Sequence, residues 1–175
     1  MSTSAEQLRD GTVATLRPLP YDHPVAHDLV EQVQEEYVQR YGGRDAAVVD
    51  AAEFVPPLGI FLVAEIDGEP AGCGAWRAVS AGVAEIKRVY VVPRFRRRGL
   101  AQAIVGALEE GAALAGHGRV VLNTGNEQPE AIALYADLGY SPIEGYGIYA
   151  CSPGAVFLGK DLRPGSETEG SSWAS

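Results

Sequence analysis

The spacing of apolar residues along the chain predicts three amphipathic helices. In the stretch 25–41 the apolar residues recur every four positions, and Pro24 stands where the first turn of a helix accepts a proline. A second helical stripe runs through 100–112, directly after a group of arginines. A third helix is predicted to begin at Pro129 and to end near Gly139, because glycine is common just after a helix.

Extended segments lie before, between and after these helices. Two apolar runs flank Asp67 and Gly68, and Asp-Gly is the dipeptide that favours a type I′ hairpin turn. The stretch 83–92 alternates, which predicts a strand with one set of side chains on each face of a sheet. The first set is Ala84, Ile86, Arg88 and Tyr90, and the second is Glu85, Lys87, Val89 and Val91. Further strands are predicted at 12–19, 118–125 and 155–162.

The order of these elements indicates the fold class. Antiparallel strands come first and strand–helix–strand units follow, and the segment 42–59 is broken by glycine and proline into a loop with at most one helical turn. This order predicts an α/β protein, classed as α+β in some schemes. We expect a mixed, mostly antiparallel central sheet of six to seven strands, with helices on both of its faces.

The length of 175 residues indicates one domain with short tails. We assign residues 1–11 to a flexible N-terminus and residues 12–162 to the domain. The segment 163–175 is polar and rich in serine and glycine, so we predict a disordered tail there.

The composition, with 46% hydrophobic and 21% charged residues, is that of a soluble globular protein. The net charge of -9 argues against a general binder of nucleic acids or membrane surfaces, because such binders rely on a basic field. No apolar segment approaches the roughly 20 residues that span a bilayer, and the N-terminus lacks the apolar core of a signal peptide. We therefore expect a cytoplasmic protein that binds neither nucleic acid nor membrane.

Positive charge is nevertheless concentrated where the predicted strand at 83–92 meets the second helix. Of the 14 Lys and Arg residues, six lie between Lys87 and Arg98, and Gly99 follows them. A helix N-terminus has unpaired amides and a partial positive charge, and glycine lets its backbone approach a bulky ligand. The segment therefore predicts a phosphate or pyrophosphate site, with a solvated basic turn or a nucleic-acid patch as the alternatives. The glycine spacings of the Walker A and dinucleotide-binding motifs are absent.

Two segments resemble the GNAT N-acetyltransferases. The sequence RRRGLA at 96–101 matches the family's R/Q-x-x-G-x-G/A signature, at the end of a strand and the start of a helix. Further on, PEAIALYADLGY is similar to the family segment N-x-x-A-x-x-L-Y-x-x-x-G-F/Y. The order of elements over about 12–162 is also similar to that of the family's acyl-CoA N-acyltransferase fold.

This resemblance implies acetyl-CoA as the co-substrate and assigns the residues that bind it. In the family, the cofactor enters a gap beside the strand that precedes the arginine turn. The backbone of that strand would pair with the pantetheine arm, here at Val89, Tyr90 and Val91. The amides of the turn would hold the pyrophosphate, here at Arg96, Arg97, Arg98, Gly99, Leu100 and Ala101. Gln128 stands where the family often has asparagine, and Asn123 or Asn126 could replace it in that contact.

The resemblance also assigns two catalytic roles. Tyr135 falls on the family's tyrosine and would give a proton or a hydrogen bond to the departing thiolate, the alternative being a core tyrosine. Glu85 is the candidate general base, as in some family members with a similar AEI context, and it could relay a proton through water. The alternative for Glu85 is a strand glutamate paired with Lys87 or Arg77.

The acceptor is expected to be a primary amine on a small molecule, attacked directly in a ternary complex. Family members contact it through the first helix, the hairpin and the last strands, and the corresponding residues here are Tyr37, Arg44, Trp76, Arg77 and Tyr146. A lysine or N-terminus of a protein is an alternative acceptor, and a non-catalytic CoA-binding module is an alternative function. We expect no metal. The oligomeric state is open, with a homodimer among the alternatives.

Overall fold

The structure is a computed structural model, and it describes residues 1–162. The predicted tail at 163–175 lies outside the described residues. Eight strands form one sheet: β1 (Ser4–Gln7), β2 (Val13–Pro18), β3 (Gly59–Ile66), β4 (Glu69–Ser80), β5 (Val83–Val91), β6 (Arg119–Gly125), β7 (Ser141–Pro142) and β8 (Ala155–Asp161). The α-helices of this part of the chain are α1 (Pro24–Tyr41), α2 (Leu100–Leu114) and α3 (Pro129–Asp137).

The sheet is mixed and mostly antiparallel, as predicted. Its strands lie in the order β1-β2-β3-β4-β5-β6-β8-β7, and only the β5–β6 pair is parallel among the described strands. The hairpin between β3 and β4 turns at Asp67 and Gly68, whose φ angles of 51° and 78° are both positive. Two consecutive positive φ angles are what a type I′ turn requires, so the predicted turn is confirmed.

The sheet has one strand more than the largest number predicted, because part of the N-terminus joins it. We expected residues 1–11 to be flexible, whereas β1 pairs with β2 from Ser4 opposite Leu16 to Gln7 opposite Val13. The chain then buries Leu8, which is 6% exposed. A four-residue polar strand has no hydrophobic alternation of its own, so local pattern could not identify it.

Helices cover both faces of the sheet, which confirms the predicted layers. On one face, Leu29 and Val33 of α1 join a cluster that contains Phe61 of β3. On the other face, Ile104 and Leu108 of α2 join a larger cluster that also takes in Tyr135 of α3. We call these the α1 face and the α2 face. None of the helices in residues 1–162 is long and apolar enough to span a membrane.

Trp76 corrects one sequence-based prediction. We assigned it to the acceptor site, but it is 3% exposed and belongs to the cluster on the α2 face. Its ring packs edge to face against His117, with 5.2 Å between the ring centroids. The sequence showed an aromatic residue on a hairpin strand, but only the register of β4 decides which face that residue takes.

Candidate active site

The site is built on a gap between β5 and β6. The two strands pair at only three positions, from Val83 opposite Arg119 to Glu85 opposite Val121. Beyond that point β6 keeps pairing with β8 as far as Gly125, so β6 follows β8 and separates from β5. Among residues 1–162, the edge of β5 that faces β6 therefore has no strand partner over the rest of its length.

A bulge in β5 lies beside this gap. On β4, Cys73 is opposite Tyr90 and Ala75 is opposite Lys87, so β5 has one extra residue between these pairs. Arg88 has a φ of 59°, which is uncommon for a residue other than glycine, and its carbonyl accepts a hydrogen bond from the Cys73 thiol at 3.3 Å. A bulge bends a strand and increases its twist. We attribute part of the divergence of β5 from β6 to this bulge.

A cavity of about 340 Å³ occupies the gap and reaches both faces of the sheet. Its lining on the α2 face is largely apolar and comes from β5, β6 and α3: Ile86, Val89, Leu122, Ala131 and Tyr135. Around its α1 end the lining is polar and comes from α1, β5 and the loops after α1 and before β8: Tyr37, Arg44, Asp45, Lys87, Arg88, Tyr149 and Ser152. The gap is thus a passage through the sheet, apolar on one side and charged on the other.

The arginine turn lies at the far end of β5. Gly99 is the N-cap of α2 with a φ of 88°, and Arg97 also has a positive φ, of 65°. The N–H of Arg96 donates to the carbonyl of Pro93 at 3.2 Å, so this amide, which we predicted to bind pyrophosphate, is already used. Within residues 1–162 the amides of Arg97, Arg98 and Gly99 have no backbone acceptor. Consecutive free amides at a helix N-terminus form an anion-binding site.

The arginine side chains of the turn differ in their partners. Three of them face carboxylates: Arg94 with Glu69, Arg96 with Glu36 at 2.8 Å and Arg98 with Asp10 at 3.7 Å. Arg97 has no ion pair in the described part of the chain and is exposed. Arg97 is therefore the arginine most available to an anion at this turn.

Tyr135 of α3, the predicted proton donor, is one of the residues that line the cavity. Tyr135 is 6% exposed, and its ring packs edge to face on the ring of Tyr140, with 5.2 Å between the centroids. Within residues 1–162 its hydroxyl has no hydrogen-bond partner, although it lines the cavity. Burial raises the pKa of Tyr135 well above the usual phenol value, with a smaller contribution from Tyr37. The hydroxyl therefore stays protonated and can donate a hydrogen bond into the cavity.

Glu85 lies behind the cavity wall and not among the lining residues. It is 4% exposed. Its carboxylate accepts hydrogen bonds from Arg77 Nε at 2.9 Å and from the Tyr146 hydroxyl at 3.2 Å, and Lys87 Nζ is 3.8 Å away. Arg77 also pairs with Glu53 at 2.6 Å. Arg77 and Tyr146, which we predicted to contact the acceptor, thus bind Glu85 instead and do not line the cavity.

Other predicted residues do line the cavity. Tyr37 lies at its α1 end, where burial raises its pKa to about 12, and Arg44 lies nearby in an ion pair with Glu31 at 2.7 Å. Gln128 accepts hydrogen bonds from the hydroxyls of Thr124 at 3.1 Å and Tyr41 at 3.3 Å. The side-chain oxygen of Gln128 is therefore held by protein groups at the junction of β6 and α3.

Sequence reasoning missed a buried ion pair between Arg88 and Asp45. Arg88 donates to Asp45, which also accepts from the Tyr149 hydroxyl at 2.8 Å and from the N–H of Ala47 at 2.9 Å. Burial opposes ionisation of Asp45, but the hydrogen bonds from Arg88 and Ala47 outweigh it and lower the pKa of Asp45. The pair fixes two loops to the bulge of β5, and nothing in the local pattern of 42–50 identified Asp45.

No metal centre was predicted, and that stays a prediction. Over residues 1–162 the structure has no group of three or more His, Cys, Asp or Glu side chains placed to hold a metal ion.

The sheet thus opens between two parallel strands, and at the end of one of them a helix N-terminus presents amides that have no backbone acceptor within residues 1–162. The sequence profile of the Acetyltransferase (GNAT) family matches residues 26–140. The chain therefore belongs to the GNAT family, and the protein is an acyltransferase.

Individual relatives agree with this assignment. The chain is 30% identical over 135 residues to an IAA acetyltransferase of Azospirillum brasilense, covering 77% of this chain and 88% of that protein. A structure assigned as an acyl-CoA N-acyltransferase of Klebsiella pneumoniae superposes with a TM-score of 0.73 at 28% identity, covering 86% of this chain and 98% of that one. A GNAT acetyltransferase of Elizabethkingia anophelis, solved with acetyl-CoA bound, has the same fold, with a TM-score of 0.61 at 17% identity over 85% of this chain and 98% of that one.

Proposed function

We propose that the protein transfers the acetyl group of acetyl-CoA to the primary amine of a small molecule, by direct attack within a ternary complex. The observation that carries this proposal is the cavity through the sheet. It has a hydroxyl donor, Tyr135, in its wall, and the free amides of the arginine turn lie at the end of the strand that borders it. Two substrates that enter such a passage from opposite faces can meet inside it, which makes their reaction effectively intramolecular.

The residues on the α2 face and at the turn would hold acetyl-CoA. Within residues 1–162 the amides of Arg97, Arg98 and Gly99 have no backbone acceptor and can bind its pyrophosphate, and the exposed side chain of Arg97 can reach a phosphate. The edge of β5 at Val89–Val91 has no strand partner on the β6 side within the described residues, so it can pair with the pantetheine arm as an added strand would. The acetyl-CoA-bound structure of the same fold supports acetyl-CoA as the co-substrate in this proposal.

The proposed reaction regenerates the enzyme, because proton exchange with solvent returns the base and the proton donor to their starting states after the transfer. The neutral amine attacks the thioester carbonyl carbon, the new C–N bond forms and the C–S bond breaks. The amine nitrogen gives up one proton to a base, and the departing thiolate gains one proton. Tyr135 is our candidate donor to the thiolate, because its hydroxyl lies in the cavity and stays protonated.

Glu85 remains our hypothesis for the base, with a specific constraint. Its carboxylate does not line the cavity and is bound by Arg77 and Tyr146. A proton from the attacking amine could therefore reach Glu85 only through an intervening group or a water. This is consistent with relay through water and not with direct contact between Glu85 and the amine.

The experiment is an acetylation screen with a thiol-release readout. Purified protein is mixed with acetyl-CoA and a panel of small amines, polyamines, and peptides with free N-termini or lysines, and CoA binding is measured separately by calorimetry. We expect CoA release with small amines and an acetylated product by mass spectrometry. Release with peptides alone would favour a protein acceptor. CoA binding without release with any amine would favour a non-catalytic CoA-binding module.

A further inference from the structure

The charged groups around the α1 end of the cavity are unequal in sign. Among the residues that line it, three are cationic and one is a carboxylate: Arg44, Lys87, Arg88 and Asp45. The carboxylate of Asp45 is already bonded to Arg88, to the Tyr149 hydroxyl and to the N–H of Ala47. An acceptor that carried an ammonium group in addition to its reacting amine would therefore find no free carboxylate among the described lining residues.

Two of the cations have donor capacity left over. The carboxylate oxygen nearest to Lys87 Nζ belongs to Glu85 and is 3.8 Å away, a distance longer than a hydrogen bond. The Glu85 carboxylate is held more closely by Arg77, at 2.9 Å. Arg88 Nε also has no hydrogen-bond partner within residues 1–162, but the atom is itself buried, so Arg88 adds positive charge beside the cavity while Lys87 supplies the free donor. The two side chains are only 7% and 4% exposed, so water reaches them poorly. A buried donor without an acceptor destabilises the protein, and an anionic ligand in the cavity would give the Lys87 ammonium an acceptor.

The position of these donors fits a group attached close to the reacting amine. Lys87 and Arg88 directly precede Val89 on β5, at the strand edge proposed to hold the pantetheine arm. Lys87, Arg88 and Val89 line the same cavity, so an amine that reaches a thioester held at this strand edge lies in the same space as the two cations. A carboxylate attached close to that amine can then meet Lys87 within the cavity. Burial lowers the pKa of Lys87, against the opposing effect of Glu85, so an added carboxylate would favour its charged form.

We infer that the amine acceptor carries a carboxylate near its amine, as an α-amino acid does, and that Lys87 binds this carboxylate beside the positive charge of Arg88. This inference rests on the proposed acetyltransferase function. It separates small amino acids from simple amines and polyamines, which offer only positive charge. It also separates them from protein N-termini, whose first carboxyl group is an amide.

The test compares acceptors that differ only in the carboxylate. Each of several α-amino acids is assayed beside its own carboxamide, for example phenylalanine beside phenylalaninamide, and kcat/KM is measured for both. We expect at least a tenfold preference for the acid in the unaltered protein. The carboxamide has the less basic amine and therefore more of the neutral nucleophile, so basicity alone would give the opposite preference.

Variants then locate the carboxylate site. In Lys87→Met the acid-to-amide preference should fall at least tenfold through a raised KM for the acid, and Lys87→Arg should restore part of it. Arg94→Gln is the matched control, because Arg94 is 62% exposed in its side chain, pairs with Glu69 and does not line the cavity. If Lys87→Met does not fold, the comparison of acid with amide in the unaltered protein still decides the question.

The outcomes are distinguishable from a failure of the proposed function. Equal or better acetylation of the carboxamides would overturn the carboxylate inference while leaving the acetyltransferase function intact. A preference retained in full by Lys87→Met would overturn the assignment of the site to Lys87. Absence of CoA release with every amine would instead count against the proposed function itself.

Discussion

The carboxylate of Glu36 on α1 lies 2.8 Å from the guanidinium of Arg96 in the arginine turn. The Nε of Arg96 also donates to the carbonyl of Val91 at 2.9 Å, so two nitrogens of this guanidinium have protein partners. Glu36 in turn pairs with Arg40 at 2.8 Å. A negative charge is thus fixed beside the turn that we propose to bind pyrophosphate, where it would repel a phosphate.

We expect Glu36→Gln to tighten binding of acetyl-CoA two- to fivefold. A partly exposed ion pair contributes about 0.2–1 kcal/mol, and removing the carboxylate frees Arg96 and removes the repulsion together. Calorimetry with CoA at low and high salt measures the effect, which should shrink as salt screens it. Glu69→Gln is the control, because it removes the same charge from the exposed ion pair of Glu69 with Arg94. Equal gains in both variants would mean that only net charge matters.

Gly99 is expected to tolerate no side chain without a loss of binding. Its φ of 88° strains any other residue, and a Cβ there would lie 3.2 Å from the Cγ of Arg9. We expect Gly99→Val to weaken acetyl-CoA binding at least tenfold, about 1.4 kcal/mol. Gly106→Ala, in the middle of the same helix with open space at its Cβ, should stabilise the protein by about 0.5–1 kcal/mol and leave binding unchanged. An unchanged affinity in Gly99→Val would contradict the pyrophosphate assignment.

The sequence was sufficient wherever local chemistry determines the backbone. Pro24 begins α1 as predicted, and Gly139 has a φ of 89° just beyond α3. The hairpin turn at 67–68 and the start of the second helix after Gly99 were likewise predictable from residue type. In each case one or two residues with a restricted or unusual backbone preference decide the local structure.

The bulge in β5 shows why the rest could not be predicted. Strict alternation placed Arg88 and Tyr90 on the same face as Ile86. In the structure Ile86 packs on the α2 face, whereas Tyr90 packs against the α1-face cluster. One extra residue reverses the faces of all that follow, and the bulge depends on pairing with β4, which is remote in sequence. The Arg88–Asp45 pair and the facing of Trp76 depend on the same long-range register.

Tyr135→Phe tests the proton donor. We expect kcat to fall about 100-fold with acetyl-CoA affinity unchanged within twofold, because only the hydroxyl is lost from the cavity. The raised pKa of Tyr135 keeps the hydroxyl protonated, so loss of this proton should not reduce kcat of the unaltered protein below pH 10. Tyr140→Phe is the control. It loses a hydrogen bond to Glu109 at 2.9 Å and about 1 kcal/mol of stability, but kcat should hold. Equal kcat values in the two variants would mean that Tyr135 has a structural role in the core and is not the proton donor.

Glu85→Gln separates a base from a structural carboxylate. Breaking a buried charge cluster should cost about 3 kcal/mol of stability in either case, because Lys87 and Arg77 lose their shared partner. If Glu85 is the base, the acidic limb of the kcat/KM profile should also disappear or shift. Glu53→Gln removes the other carboxylate of Arg77 and should keep the limb. An acidic limb that is the same in both variants would assign Glu85 to structure alone.

Cys73 should make the fold sensitive to alkali. Its thiol is fully buried beside the bulge, and burial raises its pKa from 9.0 to about 12, against a smaller opposing effect of Arg88. A raised pKa in the folded state contributes stability that is complete below pH 9 and is lost as the pH rises toward 12, because the unfolded thiol ionises first. Relative to Cys73→Ala, the unaltered protein should therefore lose about 1.4 kcal/mol more stability between pH 8 and pH 10.

Urea unfolding in the presence of reductant at pH 8, 9 and 10 measures this difference. Tyrosines whose pKa burial raises, such as Tyr37, also begin to ionise first in the unfolded chain near pH 10, but they do so in every variant and cancel in the comparison. Cys151→Ala is the matched control, because Cys151 is exposed, and its stability should follow the unaltered protein at each pH. If Cys73→Ala also runs parallel to the unaltered protein, the thiol is not held protonated by the fold, and Cys73 near the bulge acts by packing alone.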